Sequence, residues 1–212
     1  MHVGFVKGER LQAWAQGAVG ARADTLAESI PDYGVALGVV VAGQPKEMLA
    51  VTGRLEGRRQ GGTFRFGLFG PGHELARFSG VGLSETPLAQ ELLPPGFSGY
   101  GEVSVAVSPD GPEGLVLDAS ASGEYFVATG RLDADVALEA AFPGGKAKAE
   151  LRAILTGLMT EPRYQVRAGL SYRFLPALYV LAYGGTVHFP QVDGRLHHGF
   201  TAGLGVGVDF QR

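Results

Sequence analysis

From Arg163 onward the chain sorts its residues into two alternating sets. Tyr164, Val166, Ala168, Leu170, Tyr172 and Phe174 occupy one, and Arg163, Gln165, Arg167, Gly169, Ser171 and Arg173 the other. The last run repeats the pattern, with Phe200, Ala202, Leu204, Val206, Val208 and Phe210 against Thr201, Gly203, Gly205, Gly207 and Asp209. A period of two means side chains that point alternately to the two faces of a sheet. Sustained over about eleven residues, it makes strands roughly twice the usual globular length. It also matches the nine to eleven or so tilted residues that cross a bilayer's hydrocarbon core.

The same alternation recurs along the chain between turn signals. Expected strands are Leu11–Ala23, Tyr33–Gly43, Met48–Arg59, Thr63–Gly70, Glu74–Ser84 and Tyr100–Ser108. Further ones follow from Leu115, through Glu124–Phe142 (a strand, a bend and a half-strand), in Ala147–Met159, from Arg163, in Leu178–Phe189 and from Phe200. Gln44-Pro45-Lys46, Gln60-Gly61-Gly62, Pro71-Gly72-His73, Pro109-Asp110-Gly111-Pro112 and Pro143-Gly144-Gly145-Lys146 read as tight turns. Glu85–Gly99 is the longest non-strand stretch. Thr86 as N-cap, Pro87 at the first helical position and Pro94-Pro95 as a stop predict one short helix near residues 86–93. The expectation is a single all-β domain over 1–212, an antiparallel up-and-down meander of about twelve strands, within a range of about eight to fourteen.

Mean hydropathy is only +0.10, and the longest apolar stretch, Tyr33–Gly43, falls far short of a membrane helix. That excludes a helical membrane protein and leaves a transmembrane barrel open, because lipid-facing and lumen-facing residues cancel in the average. Glycine, at 34 of 212 residues, is more than twice its usual share of about 7%. A net charge of −3 gives no electrostatic case for nucleic acid as a partner. With no cysteine, thiol chemistry and disulfides are excluded. The first residues show no basic segment followed by an apolar one, so an exported chain is expected here as a mature form or a fragment.

The polar set is rich in charge: Arg54, Arg58, Arg65, Arg152, Arg167 and Arg173 share it with Glu56, Asp118, Asp133, Asp135 and Glu139. In a soluble β-sandwich this would be the wet face and the apolar faces would stack. In a transmembrane barrel Arg54, Arg58, Arg65, Asp118, Asp133, Asp135, Glu139, Arg152, Arg167 and Arg173 would line the lumen. Tyr164, Val166, Leu170, Tyr172, Phe174, Phe200, Leu204, Val206, Val208 and Phe210 would then face lipid. The aromatics Tyr33, Tyr100, Tyr164, Tyr172, Phe174, Phe189, Phe200 and Phe210 gather near strand ends, as an interfacial girdle requires.

With Gly205, Val208 and Phe210 at their spacings, the final strand resembles the C-terminal strand of bacterial outer-membrane β-barrel proteins. It departs from that pattern at Gly203 and in carrying Gln211 and Arg212 after the aromatic. The resemblance implies an outer-membrane location, with membrane lipid and the barrel-assembly machinery as partners. The implied function is non-enzymatic: a narrow pore passing small solutes, or a structural or anchoring barrel. Stretches 83–99 and 128–142 are similar in style to the AsmA/TamB envelope proteins, which implies the alternative of a lipid-transfer β-groove segment. A soluble β-sandwich binding module is the third reading. Catalysis by Ser171 with His197-His198 and Asp193, or metal binding by the last three, lacks a sufficient set of groups, so no catalytic residue, metal or cofactor is expected.

Overall fold

The computed structural model describes residues 2–8, 10–21, 33–62, 64, 93–111, 113–190 and 196–208. They form eleven strands: β1 (His2–Lys7), β2 (Leu11–Ala21), β3 (Tyr33–Lys46), β4 (Leu49–Gly62), β5 (Leu93–Val107) and β6 (Val116–Phe126) come first. β7 (Arg131–Ala141), β8 (Ala147–Thr156), β9 (Arg163–Leu175), β10 (Leu178–Pro190) and β11 (Leu196–Val208) complete the set. All belong to one sheet in chain order, each strand antiparallel to the next, with β1 at one edge and β11 at the other. The fold is therefore all-β and up-and-down, as the turn-punctuated alternation implies.

Several boundaries differ from the sequence reading. Leu93–Gly99 is strand, although it opens with Pro94-Pro95. Proline lacks only a donor, and these two sit at the start of β5, next to a register shift at Gln60/Gly62, where the ladder can spare one. The expected strands at Thr63–Gly70 and Glu74–Ser84, and the helix near 86–93 up to residue 92, lie outside the described residues. The stretch from Glu124 to Phe142, expected as a strand, a bend and a half-strand, holds the end of β6 and the whole of β7. It divides between β6 and β7 at a four-residue turn over 127–130, closed by Gly130 at φ +64°. A side chain there would face the left-handed penalty of about 1–2 kcal/mol. His197 and His198 stand in β11, paired with Phe189 and His188, and not in a loop.

The two faces follow from the register. On β4, Thr52, Arg54, Glu56, Arg58 and Gln60 point one way, and Val51, Leu55 and Arg59 the other. The first set is covered: Arg58, Gln60, Glu124, Arg131 and Asp133 are all buried, while Leu37, Leu55, Phe200, Leu204 and Val206 on the opposite face are exposed. Leu204 is 87% exposed and Asp133 0%. No second layer of secondary structure packs on this sheet among the described residues. Side chains of strands two apart meet on this face, Arg58 of β4 with Glu124 of β6, as a sheet that curls toward it brings about, so the charged face is the inner one. The usual soluble arrangement, apolar inside and charge outside, is inverted.

The inner face of β3 explains how the covered face fits. Its inward residues are Gly34, Ala36, Gly38, Val40 and Ala42, which is why the strand looks apolar on both faces in the sequence. A Cβ at Gly38 would run into Glu56, so the glycine makes the space through which that carboxylate passes.

Candidate functional site in the inner face

The inner face of β4–β8 carries a connected set of ion pairs and hydrogen bonds. Glu124 of β6 is its centre. Its carboxylate accepts from Arg58 Nη1 of β4 at 2.9 Å, from Gln60 Nε2 of β4 and from Ser98 Oγ of β5. Arg58 donates through Nε and Nη2 to Glu56 Oε2, at 2.8 and 2.7 Å, and its guanidinium lies 3.7 Å from the centre of the Tyr100 ring. Glu56 accepts in turn from Gln16 Nε2 of β2 at 2.5 Å. Tyr100 donates to Glu102 Oε2 at 2.7 Å, while Arg54 donates to the Tyr100 hydroxyl at 3.0 Å and to Glu102. The contacts of Arg58 and Gln60 with Glu124, and of Gln16 with Glu56, join strands two apart over the one between. Backbone centres there are about 9.6 Å apart at the usual spacing of about 4.8 Å per strand. Long side chains and an inward curl bridge them.

A second group sits on β7 and β8. Asp133 accepts from Arg131 Nε at 2.6 Å and from the backbone N–H of Gly157, in the β8–β9 connection, at 2.9 Å. Arg152 of β8 donates to both oxygens of Asp135, through Nε at 3.0 Å and Nη2 at 2.6 Å, the bidentate geometry that suits guanidinium and carboxylate. Lys148 meets Glu139 at 2.8 Å, with both side chains largely exposed near the strand ends. Between the two groups, Glu102, Ser104, Ser120, Ser122, Asp135 and Arg152 line a cavity of about 420 Å³.

Of the residues expected to share a polar face, Arg54, Arg58, Asp118, Asp133, Asp135, Glu139, Arg152, Arg167 and Arg173 do stand on the inner face by register; Arg58, Asp133 and Asp135 are buried there, and Asp118 and Arg167 exposed. Arg65 lies outside the described residues. The sequence reading missed the parts that hold these residues together: Gln16, Gln60, Ser98, Tyr100, Glu102, Glu124 and Arg131. All share parity with their charged neighbours, so the alternation carried the signal. Tyr100, expected in an aromatic girdle, is turned inward and 2% exposed, held by Arg54 and Glu102.

The outward set behaves as one surface. Tyr164, Val166, Leu170, Tyr172 and Phe174 of β9 face outward, as do Phe200, Leu204, Val206 and Val208 of β11; Phe210 lies outside the described residues. Exposed outward aromatics gather at two levels: Phe97, Tyr125 and Tyr164 near one end of the strands, and Phe142, Tyr172 and Phe174 near the other. Aliphatics and small residues fill the band between. The charges among outward positions of β2–β11, Lys46 and Arg59, stand close to strand ends, Arg59 over the Phe97 ring at 5.5 Å.

On β10 and β11 the inner face is built differently. Tyr179, Leu181 and Tyr183 stand opposite Gly207, Gly205 and Gly203. A Cβ at Gly203 would overlap the Tyr183 ring, and one at Gly207 the Tyr179 ring. The rings therefore lie flat against the glycine strand.

No protein-family model matches this sequence, and no curated protein matches it. Among the described residues no three His, Asp or Glu side chains are grouped to hold a metal ion.

Proposed function

We propose that the chain is an integral outer-membrane β-barrel, non-enzymatic and narrow-bored, whose β4–β8 wall is braced by its own ion pairs. The observation that carries this is the inversion of the two faces. Arg58, Glu124, Arg131 and Asp133 are covered, and large apolar side chains such as Leu37, Leu55, Leu204 and Val206 are exposed on the other side. In water that arrangement exposes a continuous apolar surface and encloses charge. In a bilayer it is the expected one.

Dimensions support the reading. From Tyr164 to Phe174 the ten-residue interval spans about 33 Å along the strand at about 3.3 Å per residue. At a barrel tilt of about 40° that is close to 25 Å, the height of the apolar band in such barrels. At one end of the strands four connections (8–10, 47–48, 142–146, 176–177) have five residues or fewer and one (108–115) has eight, while the other end carries the two longest (22–32, 63–92) beside three of four to six residues (127–130, 157–162, 191–195). Outer-membrane barrels show the same asymmetry, with short periplasmic turns and longer outer loops. Closure of the sheet between β1 and β11 belongs to this proposal, as do membrane lipid and the assembly machinery as partners.

Both other readings need the apolar face to be the covered one. A lipid-carrying groove would line its concavity with aliphatics, and a soluble sandwich would stack them on a second sheet; here the concavity holds Arg58, Glu124 and Asp133. Detergent dependence tests the proposal. The chain is expected to stay monodisperse only above the critical micelle concentration. A monodisperse monomer in plain buffer would contradict it.

A further inference from the structure

The inner face is electrostatically divided. On β4–β8 every arginine named above has a carboxylate partner: Arg54 with Glu102, Arg58 with Glu124, Arg131 with Asp133, Arg152 with Asp135. On β9–β11 the described inward positions hold three arginines and no acidic residue: Arg163, Arg167 and Arg173 stand on β9, and β10 and β11 add Tyr179, Tyr183, His197, Thr201 and glycines. Arg163 reaches Glu161 at 3.9 Å at the strand's end. Arg167, in the middle of the strand, is exposed on the inner face and has no ion pair or hydrogen bond among the described residues. Its cross-strand neighbours are Arg152, whose charge is directed to Asp135, and Gly185, which presents no side chain. The nearest acid by register is Glu150 of β8, which leans over Gly169, one inward position further along β9.

Space is kept in front of this wall. The Tyr179 and Tyr183 rings lie against Gly207 and Gly203, so they do not project into the bore, and the β11 positions opposite them carry no side chain. The result is a strip with the Arg167 guanidinium at mid-height and phenol rings beside it.

We propose that the β9–β11 wall is a track for small inorganic anions, chloride and inorganic phosphate, with Arg167 as its central binding group. This rests on the barrel reading above and specifies what its bore would admit. A guanidinium that faces the bore without a carboxylate offers a fork of donors to an oxyanion and a positive potential to a halide. The opposite wall, where Asp118 and Glu150 add to the paired carboxylates and the described acids outnumber the cations, offers neither.

The test uses the full chain, extracted in detergent and reconstituted into planar bilayers under a potassium chloride gradient. Wild type is expected to give a reversal potential on the chloride side, and millimolar inorganic phosphate to reduce the chloride current. Arg167→Glu should move the reversal potential to the potassium side. Arg167→Gln, which keeps the side chain's bulk but not its charge, should abolish the preference and the phosphate effect together. Cation-selective or unselective wild-type currents, no currents at all, or selectivity unchanged in both variants would overturn the track. Heat-modifiable migration of the same preparations reports separately on the barrel: its absence from wild type would sink the barrel reading itself, and its presence in each variant shows that a lost preference is not lost folding.

Discussion

Arg58 and Glu124 meet at 2.9 Å from strands β4 and β6, passing over β5, with 2% and 1% of their side chains exposed. Neither is near the other in sequence, and no strand pairing joins their strands directly. Two long side chains and a sheet curled toward its charged face bring the groups together, so the contact reports on the curl as well as on the pair.

Removing one partner strands the other in a covered site. Glu124→Ala leaves Arg58, Gln60 and Ser98 without their common acceptor, and breaking a buried pair from one side typically costs about 3–5 kcal/mol. The double variant Arg58→Leu/Glu124→Leu should recover part of that loss, since it removes both members of the pair and leaves Glu56 held by Gln16 and Arg54. Urea unfolding in detergent micelles, followed by loss of the heat-modifiable form, measures both. Additive losses in the double variant would show that the two residues do not act as a pair.

Leu204 separates the surroundings of the outer face. A charge at the bilayer midplane of a barrel costs about 2–4 kcal/mol, so Leu204→Arg should block or strongly slow membrane assembly. On a water-facing surface the same change at an 87% exposed position would stay within about 0.5 kcal/mol of neutral. Fractionation of the variant between membrane and aggregate decides it. Thr201→Arg, an inward change on the same strand, should assemble normally.

The glycine face of β11 carries a steric prediction. Gly207→Val places a branched side chain where the Tyr179 ring lies. Overpacking of this kind typically costs about 1–3 kcal/mol. Tyr179→Ala in the same chain should relieve part of it. If Gly207→Val alone is as stable as the parent by urea midpoint, the ring does not rest on that strand.

The meander and the identity of the two faces were legible because a period of two needs no tertiary information. What alternation could not say is which face is covered, since a sandwich and a barrel share the pattern; that depends on curvature, which shows only when side chains from strands two apart meet. Tyr100 illustrates the limit. Its position near the start of a run suggested an interfacial aromatic, but its parity matches Glu102 and Ser98, and parity determined its place. Proline misled at Pro94-Pro95, because a missing donor is tolerated where the neighbouring ladder already shifts register. The small inward residues of β3 looked like a strand without a polar face; they are the clearance for Glu56 and Arg58. Arg167 was legible as a member of the charged set but not as the one without a partner, because pairing is a property of distance and not of composition.

The central claim is that the charged face is enclosed by a closed barrel whose apolar face meets lipid. Migration on SDS gels without boiling tests it most directly. A closed barrel resists SDS and keeps its compact form, so the unboiled chain should run as a faster band that converts to the 22.2 kDa position on heating. One band at the same position before and after boiling, from a preparation soluble without detergent, would contradict the account.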